Sequence, residues 1–414
     1  MDDIKSILEN LGYKLQDDGA RYWRALPIYR QSGNPTSLRI SKKNGGYVDF
    51  SENDSGPFYK LVQLSLNLAK PKDAKKWLDD KKFSISPIDK KAPKIVMAES
   101  WEPKVLDRLL KEHSYWNKRG IKDEIISCFQ GGVAMEGRMA DRYVFPIFND
   151  QEKIVGFAGR DLTNKKKAKW KLVGEKINWL FPLHLNREII KEKQEVILVE
   201  SIGDVLKLYQ SGFDNCLCLF GTYLSDKIIS TLVGLQLKKI YISVNNDSDA
   251  NDNAGNKRAC DIYERLIKFF DKEKVQIKLP LKNDFGDMTE EEILKWKNLI
   301  NLAVVGTQQF HNYERLCEVL EPYKQETGMV VSGAAVGTDT LGARWAKENN
   351  IPLVEFLPDW NKYGKAAGPI RNEYIIGNAN KVVAVWSPDC RGTKNDIDIA
   401  ERTNKPIEIV PYNS

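Results

Sequence analysis

The stretch Glu195-Val-Ile-Leu-Val-Glu-Ser-Ile-Gly-Asp204 decides how the middle of this chain folds. Val196 to Val199 is an unbroken apolar run, the pattern of a strand buried on both faces, and an acid, Glu200, follows at once. The same arrangement recurs twice. Ile240-Tyr-Ile-Ser-Val244 runs into Asp247 and Asp249, and Val275-Gln-Ile-Lys-Leu279 runs into Lys282-Asn-Asp-Phe-Gly-Asp287. Between the last two, Ala259, Ile262, Tyr263, Leu266, Ile267 and Phe270 recur at helical spacing. Strands alternating with helices predict an α/β unit with a parallel sheet. In such a sheet the carboxyl ends of neighbouring strands line one crevice, which would bring Glu200, Asp247, Asp249, Asp284 and Asp287 together. An acid at one strand end is ordinary. Three strands in succession that end in acid predict a cation site, because converging carboxylates repel one another until a positive charge is held between them. Oxygen-only ligands favour Mg²⁺ or Mn²⁺.

Outward from this unit, the 414 residues are too many for one compact core and predict about two to four domains. A hydrophobic content of 42% with 29% charged residues fits a soluble globular chain. No apolar run approaches the ~20 residues a spanning helix needs, and the start, MDDIKSILEN, lacks an apolar signal core, so a cytoplasmic protein with no membrane partner is expected. Six cysteines without a C-x-x-C pair, and three histidines, leave no obvious zinc set. Cys216-Leu-Cys218 reads as part of a buried strand. The net charge of +6 permits a polyanionic partner without requiring one. Residues 1–70 read as a short helix and strands, 71–95 as a polar helix and linker, and Trp101 to Phe129 as helical. Tyr143–Phe148 and Lys153–Phe157 read as strands about the turn Asn149–Glu152.

The ordered motifs resemble the Toprim core of DnaG-type primases. Val199-Glu-Ser-Ile-Gly-Asp204 is similar to the motif in which a Glu ends the first strand and an Asp follows four residues later. Leu219-Phe-Gly-Thr-Tyr-Leu-Ser225 resembles the next segment, and Asn246-Asp-Ser-Asp249 with Ala254-Gly255 resembles the family's Asp-x-Asp and Ala-Gly. Upstream, Trp116-Asn-Lys-Arg-Gly-Ile121, Asp141-Arg-Tyr-Val-Phe-Pro-Ile147, Ile154-Val-Gly-Phe-Ala-Gly-Arg160 and Lys169-Trp170 look like the other half of the polymerase core. The resemblance covers about 105–290. It departs in two places: Ala250 to Asn253 intervene before Ala-Gly, so Asp252 can replace Asp249 as a ligand, and Ser201 stands where the family has Gly. It implies catalytic residues Glu200, Asp247 and Asp249, metal ligands drawn from these with Asp204, Asp252, Asp284 and Asp287, and nucleotide or template contacts at Arg142, Arg160, Lys169, Trp170, Lys171 and Lys282.

Residues 20–68 resemble the zinc ribbon that precedes the primase core, through Asn34-Pro-Thr-Ser-Leu-Arg-Ile40, Gly45-Gly-Tyr-Val-Asp-Phe50, Gly56 and Phe58–Leu64. Every Cys and His ligand is missing, so no zinc is expected. Asn164-Lys-Lys-Lys-Ala-Lys-Trp-Lys171 sets five lysines around a tryptophan. Ammonium groups neutralise phosphates and an indole stacks on a base. A solvated lysine loop has the same composition, and the position just before the Toprim unit favours nucleic acid.

From Asn301 the strand–helix rhythm restarts, with strands expected at Leu302–Val305, Met329–Ser332, Pro352–Phe356, Lys381–Val385 and Pro406–Val410, a second, Rossmann-like domain. Small-residue loops sit at its strand ends: Gly306, Val331-Ser-Gly-Ala-Ala-Val-Gly-Thr-Asp-Thr340, Gly364-Lys-Ala-Ala-Gly-Pro-Ile-Arg-Asn372 and Cys390-Arg-Gly-Thr393. Such loops let backbone N–H groups approach a phosphate. In this order they resemble the SLOG superfamily of nucleotide-ligand sensors and hydrolases, close to a bacterial and phage-borne branch. The resemblance implies a small nucleotide-like ligand at Gly306, Ser332, Gly333, Gly337, Asp339, Lys365, Gly368, Arg371, Asn372, Gly392 and Thr393. The P-G-G-x-G-T motif of the LOG proteins is absent, which favours binding over hydrolysis.

The expected fold class is therefore α/β multidomain, with a small α+β module and linker at 1–95, a primase N-terminal subdomain at 96–190, a Toprim domain at 191–298 and a Rossmann-like SLOG domain at 299–414. The resemblance implies Mg-dependent primer synthesis on single-stranded DNA from NTPs or dNTPs, in the cytoplasm of a bacterial or phage-infected cell. No P-loop is present, so a replicative helicase would be a separate chain. The rival readings are a Toprim nuclease, in which the same ions activate water, and a catalytically inactive nucleotide-sensing adaptor.

Overall fold

The computed structural model describes residues 4–30, 37–49, 54–80, 100–163, 168–221, 223–246 and 254–412. The chain divides into two compact units, Met1–Val96 and Met97–Ser414. The first contains α1 (Ile4–Asn10), an antiparallel sheet of β1 (Gln16–Asp18), β2 (Tyr22–Ala25), β3 (Leu38–Ser41), β4 (Tyr47–Asp49) and β5 (Asp54–Gly56), then α2 (Phe58–Ser65) and α3 (Pro71–Asp80). Leu38 and Ile40 alternate inward along β3 and meet Phe58, Leu61 and Val62 of α2 in one apolar core. Asp49 is fully buried and is held by the Tyr29 hydroxyl and a two-pronged contact from Arg30. Residues 1–95 contain no Cys or His, so among the described residues this core and its ion pair carry the module. Residues 34–36 and 50 of the ribbon-like motifs lie outside the described residues.

The second unit opens with a five-stranded antiparallel sheet. Its strands are β6 (Leu109–Leu110), β7 (Gly132–Ala134), β8 (Arg142–Phe148), β9 (Ile154–Asp161) and β10 (Trp170–Gly174), in the order β10-β9-β8-β7-β6. The expected helix from Trp101 to Phe129 is instead broken. A 3₁₀ turn spans Pro103–Arg108, and α4 (Ser114–Asn117) and α5 (Asp123–Cys128) are short, separated at Gly120, whose φ of +80° suits glycine and ends α4. β10 begins at the end of the lysine-rich 164–171 stretch; Trp170 and Leu172 face one core from it, while Lys171 and the half-buried Val173 lie on the other face.

After α6 (Leu183–Lys193), the parallel sheet comprises β11 (Glu195–Val199), β12 (Cys216–Cys218), β13 (Lys239–Ile242) and β14 (Val275–Ile277), in the order β12-β11-β13-β14. Helices α7 (Ile202–Gln210), α8 (Asp226–Gly234), α9 (Ala254–Leu266) and α10 (Glu290–Asn298) join and cover it. Strand order reverses between β11 and β13, the switch point at which open α/β sheets bind ligands. The C-terminal sheet is also fully parallel. It contains β15 (Ile300–Gly306), β16 (Thr327–Ser332), β17 (Leu353–Glu355), β18 (Lys381–Trp386) and β19 (Ile407–Pro411), in the Rossmann order β17-β16-β15-β18-β19. Its helices are α11 (Tyr313–Leu320), α12 (Thr338–Glu348), α13 (Trp360–Tyr363), α14 (Ala367–Asn378) and α15 (Arg391–Arg402). Two shared cores weld the unit together. One runs from Tyr143 and Phe145 to Ile197, Val199 and Trp296; the other runs from Ile240, Ile262 and Tyr263 to Val331, Phe356 and Ile376. Among the described residues no helix is long and apolar enough to cross a membrane.

Candidate functional site

A cleft of about 500 Å³ opens at the carboxyl edge of β11 and β13. One wall is acidic. Glu200 leaves the end of β11, Asn245 follows β13, and Asp284 and Asp287 flank the 3₁₀ turn Phe285–Asp287. The other wall comes from the antiparallel half and is basic and aromatic: Tyr115, Arg119, Arg160, Lys169 and Trp170. The Arg160 guanidinium sits between two rings, 5.9 Å from Tyr115 and 5.7 Å from Trp170, and its Nε donates to the Tyr115 hydroxyl at 2.9 Å. That clamp fixes both rings and leaves a cation at their edge.

The acids do different work. Asp204 is buried and serves the fold: its Oδ2 accepts from the Ser201 N–H at 3.0 Å and hydroxyl at 2.8 Å, and its Oδ1 accepts from the Phe285 N–H at 3.1 Å. Ser201 in return caps α7, so the residue that departs from the family's Gly completes a capping box. Asp204 thus ties the β11–α7 turn to the Asp284 loop, with both oxygens committed to protein donors. Burial, reinforced by Asp284, pushes its carboxyl up to about 7. Burial and then the charge of Asp287 raise Asp284 as well. Glu200 is three-quarters buried, with Arg258 Nη1 3.8 Å from its Oε1. Among the described residues no three acidic, His or Cys side chains form a metal-holding group. Asp247, Asp249 and Asp252 lie outside the described residues. The donors that do line the cleft are all oxygens, with no Cys or His. Asp287 repels Asp284, and oxygen donors of this kind are of the type that Mg²⁺ or Mn²⁺ takes.

Three of the basic residues singled out from sequence stand elsewhere. Arg142 is buried and donates to the carbonyls of Gly159, Ala168 and Lys169, joining β8 to the segment before β10; its charge is used inside the protein. Lys171 donates to the Arg138 carbonyl, and Lys282 pairs with Glu292 at 2.8 Å; neither lines the cleft. Lysines 165–167 lie outside the described residues. Tyr115, Arg119, Lys207 and Asn245 line the cleft without having been anticipated; the position of Tyr115, immediately before the quoted Trp116 motif, was the available signal.

In the C-terminal domain, the loops after β15, β16 and β18 meet at its switch point. Asp339 is buried and its Oδ2 accepts from the Gly333 N–H at 3.1 Å and the Ala335 N–H at 3.4 Å. Arg371 Nη1 donates to the Gly333 carbonyl at 2.7 Å, and its Nε to Asn372 Oδ1. Asn372 Nδ2 donates to Asn395 Oδ1 and, at 3.4 Å, to the Gly392 carbonyl. Ser332 is buried and accepts from the Ala334 N–H, and Thr393 is buried beside Cys390. Three glycines read as phosphate cradles have internal reasons instead. A Cβ on Gly306 would lie 2.5 Å from Thr338 Oγ1, one on Gly333 would lie 2.2 Å from Arg371 Nη1, and Gly337 has a φ of +89° and a Cβ there would lie 2.5 Å from the Gln308 carbonyl oxygen. Gly392 has open space, Gly368 meets only Trp360 at 3.7 Å, and Lys365 is exposed. Asp396, one turn after Thr393 on α15, was missed. It is buried, and its Oδ1 has no hydrogen-bond partner. Burial and the neighbouring Asp339 push its carboxyl up to about 8, against the pull of Arg371, while burial holds Asp339 at about 6.

Two parts of the chain are similar to known proteins. Residues 300–363 match the family YAcAr, described as the YspA, cpYpsA-related SLOG family. The DNA primase of Helicobacter pylori is 37% identical over 93 residues, 21% of this chain and 16% of that protein. The DNA primase of Aquifex aeolicus is 27% identical over 239 residues, 56% of this chain and 45% of that protein. The chain thus spans less than half the length of these relatives. The crystal structure of the Aquifex aeolicus primase, zinc-binding and RNA polymerase domains, aligns over 98% of this chain and 95% of that chain, with 17% identity and a TM-score of 0.43. The chain is a fusion of a region homologous to bacterial DNA primases with a C-terminal SLOG domain.

Proposed function

We propose that this protein synthesises primers by nucleotidyl transfer on a single-stranded DNA template. The observation that carries this reading is the cleft in which oxygen donors from one sheet face the Tyr115–Arg160–Trp170 clamp from the other. Glu200, Asp284 and Asp287, with Asp247 and Asp249 a few residues before α9 in the sequence, would hold Mg²⁺ or Mn²⁺. When bound, the metal supplies charge neutralisation for a departing pyrophosphate and a lowered pKa for the primer 3′-hydroxyl. Arg160, Lys169 and Arg119 provide fixed positive charge for nucleotide or template phosphates, and Trp170 and Tyr115 offer ring faces and edges against which bases can rest. Asp204 holds the two acidic loops in register and so serves the geometry of the site.

The sequence relationship to bacterial primases supports polymerisation over degradation. The test incubates the full chain with mixed-sequence single-stranded DNA, all NTPs and dNTPs, and Mg²⁺. Extended products support the reading, shortened template indicates the nuclease, and neither product indicates the adaptor. For the C-terminal domain the proposed ligand is a phosphorylated nucleoside, supported by Arg371 at the mouth of the loops and by open backbone at Gly368 and Gly392. In a thermal-shift screen of nucleotides, a shift in wild type that Arg371→Ala abolishes is expected; no shift from any nucleotide contradicts it.

A further inference from the structure

α9 is not held by its own domain alone. It starts directly after residues 247–253, and Arg258 on it reaches Glu200. Ala259, Ile262 and Leu266 pack into the core shared with the parallel sheet, and Arg265 pairs with Asp226 of α8 at 2.9 Å. A further set of α9 contacts is to the C-terminal domain. Asn256 Nδ2 donates to the Leu353 carbonyl on β17, and Cys260 Sγ lies 3.9 Å from the Glu355 carbonyl. The Tyr263 ring meets Phe356 edge-on at 5.6 Å and Tyr374, on α14, at 5.6 Å. Phe356 and Tyr374 also touch, at 5.9 Å, so three rings form one wedge between the domains.

The edge of the catalytic sheet is closed in the same way. β14 is its last strand, and an edge strand carries backbone groups with no sheet partner. Asn378, at the end of α14, accepts the Ile277 N–H on its Oδ1 at 2.8 Å, and Asn301 donates to the Ile277 carbonyl at 2.7 Å. Gln276 reaches across to the Asn378 carbonyl at 3.1 Å. β14 leads into the Asp284–Asp287 turn, and α9 carries Arg258 beside Glu200. Both elements that adjoin the described acids are therefore anchored on one side by residues of the C-terminal domain.

From this arrangement we infer that the C-terminal domain is a built-in brace of the metal site, with Phe356, Tyr374 and Asn378 as positioning residues for α9 and β14 and, through them, for Arg258 beside Glu200 and for the Asp284–Asp287 turn. The inference rests on the metal-dependent reading of the cleft. It gives the domain a duty in the primase-like half that is separate from any ligand of its own. Because ring packing fixes the azimuth of α9, loss of the wedge lets Arg258 shift against Glu200 while the sheets stay folded.

The test measures Mn²⁺ binding to the full chain by the loss of the free-ion electron paramagnetic signal, a readout that needs no turnover. Phe356→Leu and Tyr374→Leu keep most of the apolar volume; Tyr374 is half-buried, so its variant is the safer one for folding. Leu316→Ala, in the core on the other face of the C-terminal sheet, controls for general destabilisation. The expected result is a dissociation constant at least fivefold weaker in both wedge variants and unchanged in Leu316→Ala, with melting temperatures lowered comparably in all three. Wild-type affinity in a folded Tyr374→Leu protein overturns the inference, as does equal weakening in Leu316→Ala. If wild type binds no Mn²⁺ in a Glu200-dependent way, the metal reading falls and this inference falls with it. Wild type that binds while the variants match it overturns this inference alone.

Discussion

The two parallel-sheet edges of the larger unit share a plan and differ in how they treat their carboxylates. Each lies at the carboxyl edge of a parallel sheet where strand order reverses. In the first, Glu200, Asp284 and Asp287 line an open space and the cations stand on the opposite wall. In the second, Asp339 and Asp396 are buried, Arg371 is beside them, and Asp339 is wrapped by backbone N–H groups. The first turns acids toward a cleft, with Arg258 3.8 Å from Glu200; the second encloses its acids, with Arg371 and backbone donors beside them. Similar topology therefore gives no guide to how a sheet edge treats its carboxylates.

The comparison breaks most visibly on metal removal. Chelation by EDTA is expected to abolish primer synthesis, a loss of at least about a hundredfold, while leaving any nucleotide-induced thermal shift at the C-terminal domain unchanged. Loss of both would erase the distinction.

The next effect is on stability against pH. Asp396 has its carboxyl raised to about 8 by burial and by Asp339. A carboxyl harder to ionise in the fold than in the unfolded chain favours the fold when protonated. Its contribution is fully present below about pH 4 and is lost as pH rises through about 8, an amount of roughly 3–5 kcal/mol for a buried group. The melting temperature is expected to fall between pH 5 and pH 8, and Asp396→Asn to flatten that fall. An identical slope in the variant would remove Asp396 from the account.

The smallest effect concerns the aromatic wall. Trp170→Ala is expected to weaken single-stranded DNA binding by about 1–2 kcal/mol, as for loss of one stacked base, with Arg160 losing one face of its clamp. Fluorescence anisotropy of a labelled oligonucleotide measures it, and unchanged affinity would reassign Trp170 to packing alone.

The strands were the most legible part of this chain. β11 is apolar from Val196 to Val199 and β15 from Leu302 to Val305, as burial on both faces demands, and Glu200 and Gly306 end up at the strand ends that their order implies. What the sequence hid depends on tertiary partners. Arg142 has the same letter as a template-binding arginine, and only the carbonyls of Gly159 and Ala168 around it make it internal. Asp204 matched a metal-site motif, yet its partners Ser201 and Phe285 give it a structural duty. Gly333 looks like a phosphate cradle and proves to be the space Arg371 needs. Asp396 stands on a polar helix among other charges, and nothing in its neighbours distinguishes it before the helix is docked. The 101–129 stretch read as helical because Pro103 and Gly120 are isolated breakers within it, and the structure turns at both, into a 3₁₀ turn at Pro103 and at a positive φ at Gly120.

The most direct measurement is primer synthesis by wild type and Glu200→Gln, side by side, on mixed-sequence single-stranded DNA with all NTPs, dNTPs and Mg²⁺. The account predicts extension products from wild type and at least about a hundredfold less from Glu200→Gln, with both proteins melting alike, since the change removes one charge from a cluster of like charges. Equal synthesis by the two proteins, or no product from wild type, would contradict it.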